Sequence, residues 1–119
     1  MVLVDTSMWI DHFRKTNHSL LQLLDEGGIL LHPFVTGEIS LGNIKNRNEV
    51  LDLLKKLPQA ELLSDEEVLI FVEKHKLFGK GIGWIDAHLL ASAYLSQISI
   101  LTYDKNLNLI AKILNLNYR

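Results

Sequence analysis

The chain has 119 residues, 48% of them hydrophobic and none of them cysteine. That is one domain with apolar content for an ordinary core, and it excludes disulfide frameworks and thiolate metal sites. The formal net charge is −2, so no global positive field marks a nucleic-acid binder, and any polyanion must be met by local basic patches. No apolar run reaches membrane-span length and the N-terminus lacks a signal-peptide pattern, so a cytoplasmic protein without membrane attachment is expected.

Val2-Leu3-Val4 reads as a short buried strand that stops at Asp5-Thr6-Ser7, a polar turn suited to open a helix. Met8, Trp9, Ile10 and Phe13 carry that helix; Leu20, Leu21, Leu23 and Leu24 carry the next, ended by Gly27-Gly28. Ile29-Leu30-Leu31 is a second buried strand. Phe34 to Ile44 reads as a helix containing Glu38, and Asn48 as the cap of another through Val50, Leu51, Leu54 and Leu57, closed by Pro58. Ala60 to Leu63 is a weaker third strand. Ser64-Asp65-Glu66-Glu67 has the form of a capping box in front of Val68, Leu69, Phe71 and Val72.

Gly81-Ile82-Gly83 lets the chain turn into an almost wholly apolar helix from Asp86 onward, which predicts burial on all sides. Ile98 to Thr102 is a strand, Leu107, Ile110, Ala111 and Leu114 mark an amphipathic helix, and Leu116–Tyr118 is a last edge strand. Strands apolar on both faces, alternating with helices, predict a single α/β domain over residues 1–119. Its central sheet is mainly parallel, of four to five short strands, with helices on both sides.

Two strands run directly into an Asp, giving Asp5 and Asp104 at carboxyl ends, which share one edge of a parallel sheet. Glu38 and Asp86 lie near the starts of helices that leave from the same edge. Four carboxylates around one crevice repel and raise one another's pKa unless a cation intervenes, and Mg²⁺ or Mn²⁺ prefer oxygen ligands. The competing explanation is that each acid caps a helix, since Asp5, Asp86 and Asp104 all stand where caps occur.

Asp5-Thr6-Ser7 after the first strand, Glu38 in Val35-Thr36-Gly37-Glu38-Ile39, Gly83-Trp84-Ile85-Asp86-Ala87-His88 and Leu101-Thr102-Tyr103-Asp104 resemble, in order and along the whole chain, the PIN domain. More narrowly they look like the VapC toxins of type II toxin–antitoxin systems. The resemblance implies a three-layer α/β/α fold and a Mg²⁺-dependent endoribonuclease, with Mn²⁺ able to substitute, that leaves 5′-phosphate and 3′-hydroxyl ends. It implies Asp5 and Asp86 as main metal ligands, Glu38 and Asp104 completing the site, and Thr6 and Thr102 as supporting hydroxyls, with Ser7 a lesser candidate. It further implies a small VapB-like antitoxin, a homodimer, and DNA contact only through the antitoxin.

Lys45 and Arg47 follow the Glu38 helix, and Lys74, Lys76 and Lys80 precede Asp86, so both sets are candidates for RNA phosphate contact against the alternative of solvated charge. His88 is read as packing, His12, His18, His32 and His75 carry no metal-ligand spacing, and Trp9 and Trp84 are read as core. Two other functions compete. An aspartate-nucleophile phosphatase would want a second acid two residues after Asp5, where Ser7 stands. A non-catalytic RNA-binding or signalling scaffold has no need of all four acids.

Overall fold

The computed structural model describes residues 1–118. Its elements are β1 (Val2–Val4), α1 (Thr6–Arg14), α2 (His18–Asp25), β2 (Ile29–Leu30), α3 (Pro33–Ser40), α4 (Arg47–Lys56), α5 (Asp65–His75), α6 (Trp84–Ser96), β3 (Ser99–Leu101) and α7 (Lys105–Ile113). The sheet is parallel with order β2-β1-β3; Val2 pairs with Ile29 and Ser99, and Leu3 with Leu30 and Ile100. All three residues of β1 are buried, as a central strand covered on both faces must be.

The sheet is smaller than the expected four to five strands. Beyond β2 the chain adds a single parallel bridge, Leu31 to Gln59, and beyond β3 another, Ile100 to Asn117. Pro33 starts α3 directly after His32, so β2 ends before Ala60–Leu63 could pair with it. Leu31 instead bonds Pro58 and Ala60 on either side of Gln59, and the chain then leaves for α5. Among the described residues, Leu116–Tyr118 likewise meets the sheet at Ile100 alone, through Leu116 O and the Tyr118 N–H.

The order 2-1-3 fixes where a site can form. From β1 the chain crosses toward β2; from β3 it continues outward to Asn117. Right-handed crossovers in opposite directions place their helices on opposite faces. In the fold α1 packs on α3 and α3 on α4, while α5 packs on α6, and α6 and α7 both pack on β3. The strand order reverses between β1 and β3, and their carboxyl ends border the crevice where open α/β sheets hold ligands.

Helix ends differ from the sequence reading where tertiary contacts decide them. The third helix stops at Ser40 rather than Ile44, and the Arg47 guanidinium donates to the Ser40 carbonyl from Nε (3.1 Å) and Nη2 (2.8 Å). α4 starts at Arg47, behind an Asn46 in the left-handed region at φ 55°, rather than behind Asn48. The capping box at α5 forms as read: Glu67 N–H donates to Ser64 Oγ at 3.1 Å and Ser64 N–H to Glu67 Oε1 at 2.9 Å. Seven consecutive residues of α6, Ala87 through Ala93, are buried.

Candidate active site

Asp5 follows β1 and its N–H bonds the Leu101 carbonyl of β3 at 2.9 Å, which places the two strand ends side by side. It occupies the N-cap position of α1, yet its side chain makes no cap hydrogen bond. Asp5 is 6% exposed and its carboxylate turns toward β3, where Oδ2 accepts from Thr102 Oγ1 at 2.7 Å and from Ser7 Oγ at 3.0 Å. Both hydroxyl protons go to one oxygen. Among the described residues, Oδ1 receives no side-chain donor.

These hydroxyls are held in turn. Thr102 Oγ1 accepts from the Asp104 N–H at 2.9 Å, and Ser7 Oγ from the Tyr103 N–H at 3.1 Å. Ser7 therefore bonds Asp5 directly, as Thr102 does, at a slightly longer distance. Thr6 points elsewhere: its Oγ1 reaches Glu38 Oε1 at 3.5 Å, a long contact on an exposed edge. The helical turn after β1 explains the difference. With α1 starting at Thr6, Ser7 lies on the face beside β3 and Thr6 on the face beside α3.

Asp104 is the true cap of the set. Its Oδ1 accepts from the Leu107 N–H at 2.9 Å at the start of α7. Asp86 is not an N-cap, because α6 begins two residues earlier at Trp84; its Oδ2 reaches back to the Gly83 N–H at 3.3 Å. Burial raises the Asp86 pKa above the ordinary Asp value, the Gly83 N–H opposes that, and the charges of Asp5, Asp104 and Glu38 raise it further. Asp5, Glu38 and Asp104, from three other segments, thus stand near enough for their charges to act on Asp86. Among the described residues, however, no three His, Asp or Glu side chains are drawn into a closed chelate. The donor set is wholly carboxylate oxygen, which fits a hard divalent cation in kind.

The basic residues divide. Arg47 is committed to the Ser40 carbonyl. Lys74 lies with Tyr94 and Leu95 on the α5–α6 surface, about two helical turns along α6 from Asp86. Lys80 belongs to the loop before α6, and that loop is docked on the start of α7: Asn106 Nδ2 donates to the Gly81 carbonyl at 3.2 Å. The loop that carries Lys80 is thus held against the start of α7, the helix that Asp104 caps. Lys45 and Lys76 are exposed, Lys76 being the left-handed C-cap of α5 at φ 55°.

His88 is 1% exposed and packs against Trp84 and Phe34, with Nε2 3.0 Å from Asp65 Oδ1. Trp9 is core, but Trp84 is 41% exposed, against the core reading. It stands in the first turn of α6, where one side of the helix still faces solvent. His32, which carried no sequence signal, is fully buried at the end of β2. Its Nδ1 accepts the Phe34 N–H at 3.0 Å, and burial first, then nearby His88, lowers its pKa to about 4. Its position directly before Pro33, at a strand-to-helix junction, was the available signal of a cap.

The chain matches the PIN domain family model over residues 2–113. It is 44% identical over 108 residues to Ribonuclease VapC32 of Mycobacterium tuberculosis, in strain CDC 1551 / Oshkosh and in strain ATCC 25618 / H37Rv, across 90% of this chain and 87% of that relative. Since the match runs from β1 to the end of α7 and takes in all four acidic segments, the chain belongs to the PIN-domain family and, within it, to the VapC group.

Proposed function

We propose that the chain is a divalent-metal-dependent endoribonuclease and the toxin of a type II toxin–antitoxin pair, slowing translation by cutting RNA. The observation that carries this reading is that Asp5, Glu38 and Asp104, from three other segments, come near enough for their charges to act on Asp86, while among the described residues none of the four is in a salt bridge with a Lys or Arg. Membership in the VapC group and the ribonuclease named among its relatives support it.

Asp5 and Asp86 are the residues to hold Mg²⁺ or Mn²⁺, with Glu38 and Asp104 completing the set. Bound there, the ion supplies Lewis acidity, lowering the pKa of water and offsetting charge on phosphoryl oxygens. The chain's own part is positional. Thr102 and Ser7 fix the Asp5 carboxylate through one oxygen and leave the other for a ligand. The Leu107 N–H holds Asp104 in the same way. The Gly83 N–H orients Asp86 at the entrance of α6. Water adds to phosphorus, the P–O3′ bond breaks, and the products carry a 5′-phosphate and a 3′-hydroxyl. The ribose 2′-hydroxyl takes no part, so preference for RNA rests on binding.

Lys80, on the loop docked against α7, is the first candidate for a phosphate contact, and the exposed Lys45 and Lys76 are further candidates. The partner is a small VapB-like antitoxin whose basic side chain would meet the acids. The apolar groove of about 500 Å³ that Trp9, Phe13, Leu53 and Leu57 help to line would receive an apolar segment of it. A homodimer in the cytoplasm completes the proposal; among the described residues no helix is long and apolar enough to cross a membrane.

Incubation of the purified protein with cellular RNA tests the reading. Discrete 5′-phosphate products that need Mg²⁺ or Mn²⁺ and vanish in EDTA and in Asp5→Asn are expected. Intact RNA after incubation with folded, antitoxin-free protein and metal would overturn it.

A further inference from the structure

Tyr103 stands between two residues of the acidic edge, Thr102 and Asp104, and is 58% exposed. Exposed tyrosines are ordinary, and most have a hydroxyl free in water. This one is fixed at both ends. Its N–H donates to Ser7 Oγ at 3.1 Å, and its hydroxyl oxygen accepts from Asn17 Nδ2 at 2.8 Å.

Asn17 is itself immobilised. Its Oδ1 caps α2 by accepting from the Leu20 N–H at 3.0 Å, its Nδ2 also reaches Asp11 Oδ2 at 3.2 Å, and its N–H donates to His12 Nδ1 at 3.1 Å. The Tyr103 side chain therefore spans from the Asp5–Ser7–Thr102 group to the α1–α2 turn, held while largely solvated. A ring pre-set in this way loses little conformational freedom when something stacks on it.

The chemistry of the two ends narrows what that partner is. The hydroxyl oxygen accepts from Asn17, and the Asp11 carboxylate shares that same Nδ2, so the negative charge beside the outer end of the side chain disfavours a phosphate there. The apolar ring face remains. Beside a site for phosphodiester cleavage, the matching group is a nucleobase of a single strand, since a paired and stacked base has no face to offer. Resting on the ribonuclease reading, we propose that Tyr103 is a positioning residue that stacks a base next to the scissile phosphate and so selects single-stranded or looped RNA.

The test is binding of fluorescent oligoadenylate, of a ribose-phosphate strand of equal length without bases, and of the same oligoadenylate in a duplex. Ca²⁺ is present to neutralise the acids. Wild type should prefer the single strand to the baseless strand by about tenfold, the scale of one aromatic–base stack. Tyr103→Leu should lose most of that preference with unchanged affinity for the baseless strand. Tyr103→Phe, which keeps the ring and drops the tether, should retain most of it.

Equal weakening of both strands in Tyr103→Leu would mark a merely structural tyrosine and overturn the proposal. So would unchanged oligoadenylate binding in that variant, a wild type that does not distinguish the strands, or a wild type that prefers the duplex. A wild type that cleaves cellular RNA but shows no base preference loses the platform and keeps the ribonuclease; one that neither cleaves nor binds RNA loses both.

Discussion

Asp5 and Asp104 occupy the same local position, between a strand and a helix, but their side chains do different things. Asp104 caps α7 in the ordinary way, whereas Asp5 leaves α1 uncapped and takes both its hydrogen bonds from hydroxyls at the β1–β3 junction. Sequence placed both acids at the edge because strand ends can be read from apolar runs. It could not separate cap from site, because the deciding contact with Thr102 spans 97 positions of chain. The family resemblance ranked Thr6 above Ser7; in the fold Ser7 Oγ bonds Asp5 at 3.0 Å, while Thr6 Oγ1 lies 3.5 Å from Glu38. Thr102→Val should therefore cost about 1–3 kcal/mol in denaturant unfolding, the scale for a buried polar group losing a partner. Thr6→Val should cost under about 0.5 kcal/mol, as for surface substitutions.

His32 supplies a second prediction at this scale. Its pKa in the fold, about 4, lies below the ordinary histidine value of 6.5, with burial as the main cause and His88 as the second. The folded state therefore binds this proton less readily than the unfolded chain. The stability from neutral His32 is complete above about pH 6.5 and is lost as pH falls toward 4. His32→Asn, which keeps an acceptor for the Phe34 N–H, should show a shallower loss of stability than wild type across that window. Equal slopes would remove His32 from the titration.

Elements were legible where local chemistry sets them. The Ser64–Glu67 box and the buried middle of the almost wholly apolar α6 could be read directly, because i to i+3 bonds and apolar runs are written in neighbouring residues. The ends of α3 and α4 were not, because Arg47 reaching back to Ser40 and a left-handed Asn46 are decided by packing. Ser64→Ala should lower stability by about 1 kcal/mol and leave cleavage intact, a pairing checked by denaturant melts beside an RNA assay. The Gly79–Gly83 loop behaves differently. Gly81 sits at φ +76°, and a Cβ there would meet Asn106 Nδ2 at 2.8 Å. Gly81→Ala should strain the loop and push it off α7. A loss above about 1 kcal/mol, with weakened RNA binding through displaced Lys80, is expected from melts and binding isotherms.

At the scale of the whole molecule, the parallel sheet with its strand reversal between β1 and β3 assembles charge that folding alone does not favour. The α/β class and the shared edge followed from apolar strands and alternating helices. The strand count did not, because Gln59 and Asn117 pair by one residue each and no propensity marks so short an edge. The functional consequence is electrostatic. Asp86 has a raised pKa, from burial first and then the neighbouring acids. The folded state thus holds its proton more tightly than the unfolded chain does. Stability contributed by that proton is lost as pH rises from the ordinary carboxylate range through the folded pKa, and the ionised group is destabilising at neutral pH without a cation.

The most direct measurement of that claim is thermal unfolding of wild type and Asp86→Asn at neutral pH, in EDTA and in excess Mg²⁺ or Mn²⁺. The amide keeps an acceptor for the Gly83 N–H and removes the charge. The account predicts that Asp86→Asn melts higher than wild type in EDTA, while added metal raises the wild-type melting temperature far more than that of the variant. Equal melting temperatures in EDTA with equal shifts on adding metal would contradict it, and would leave four acids that share an edge without sharing an ion.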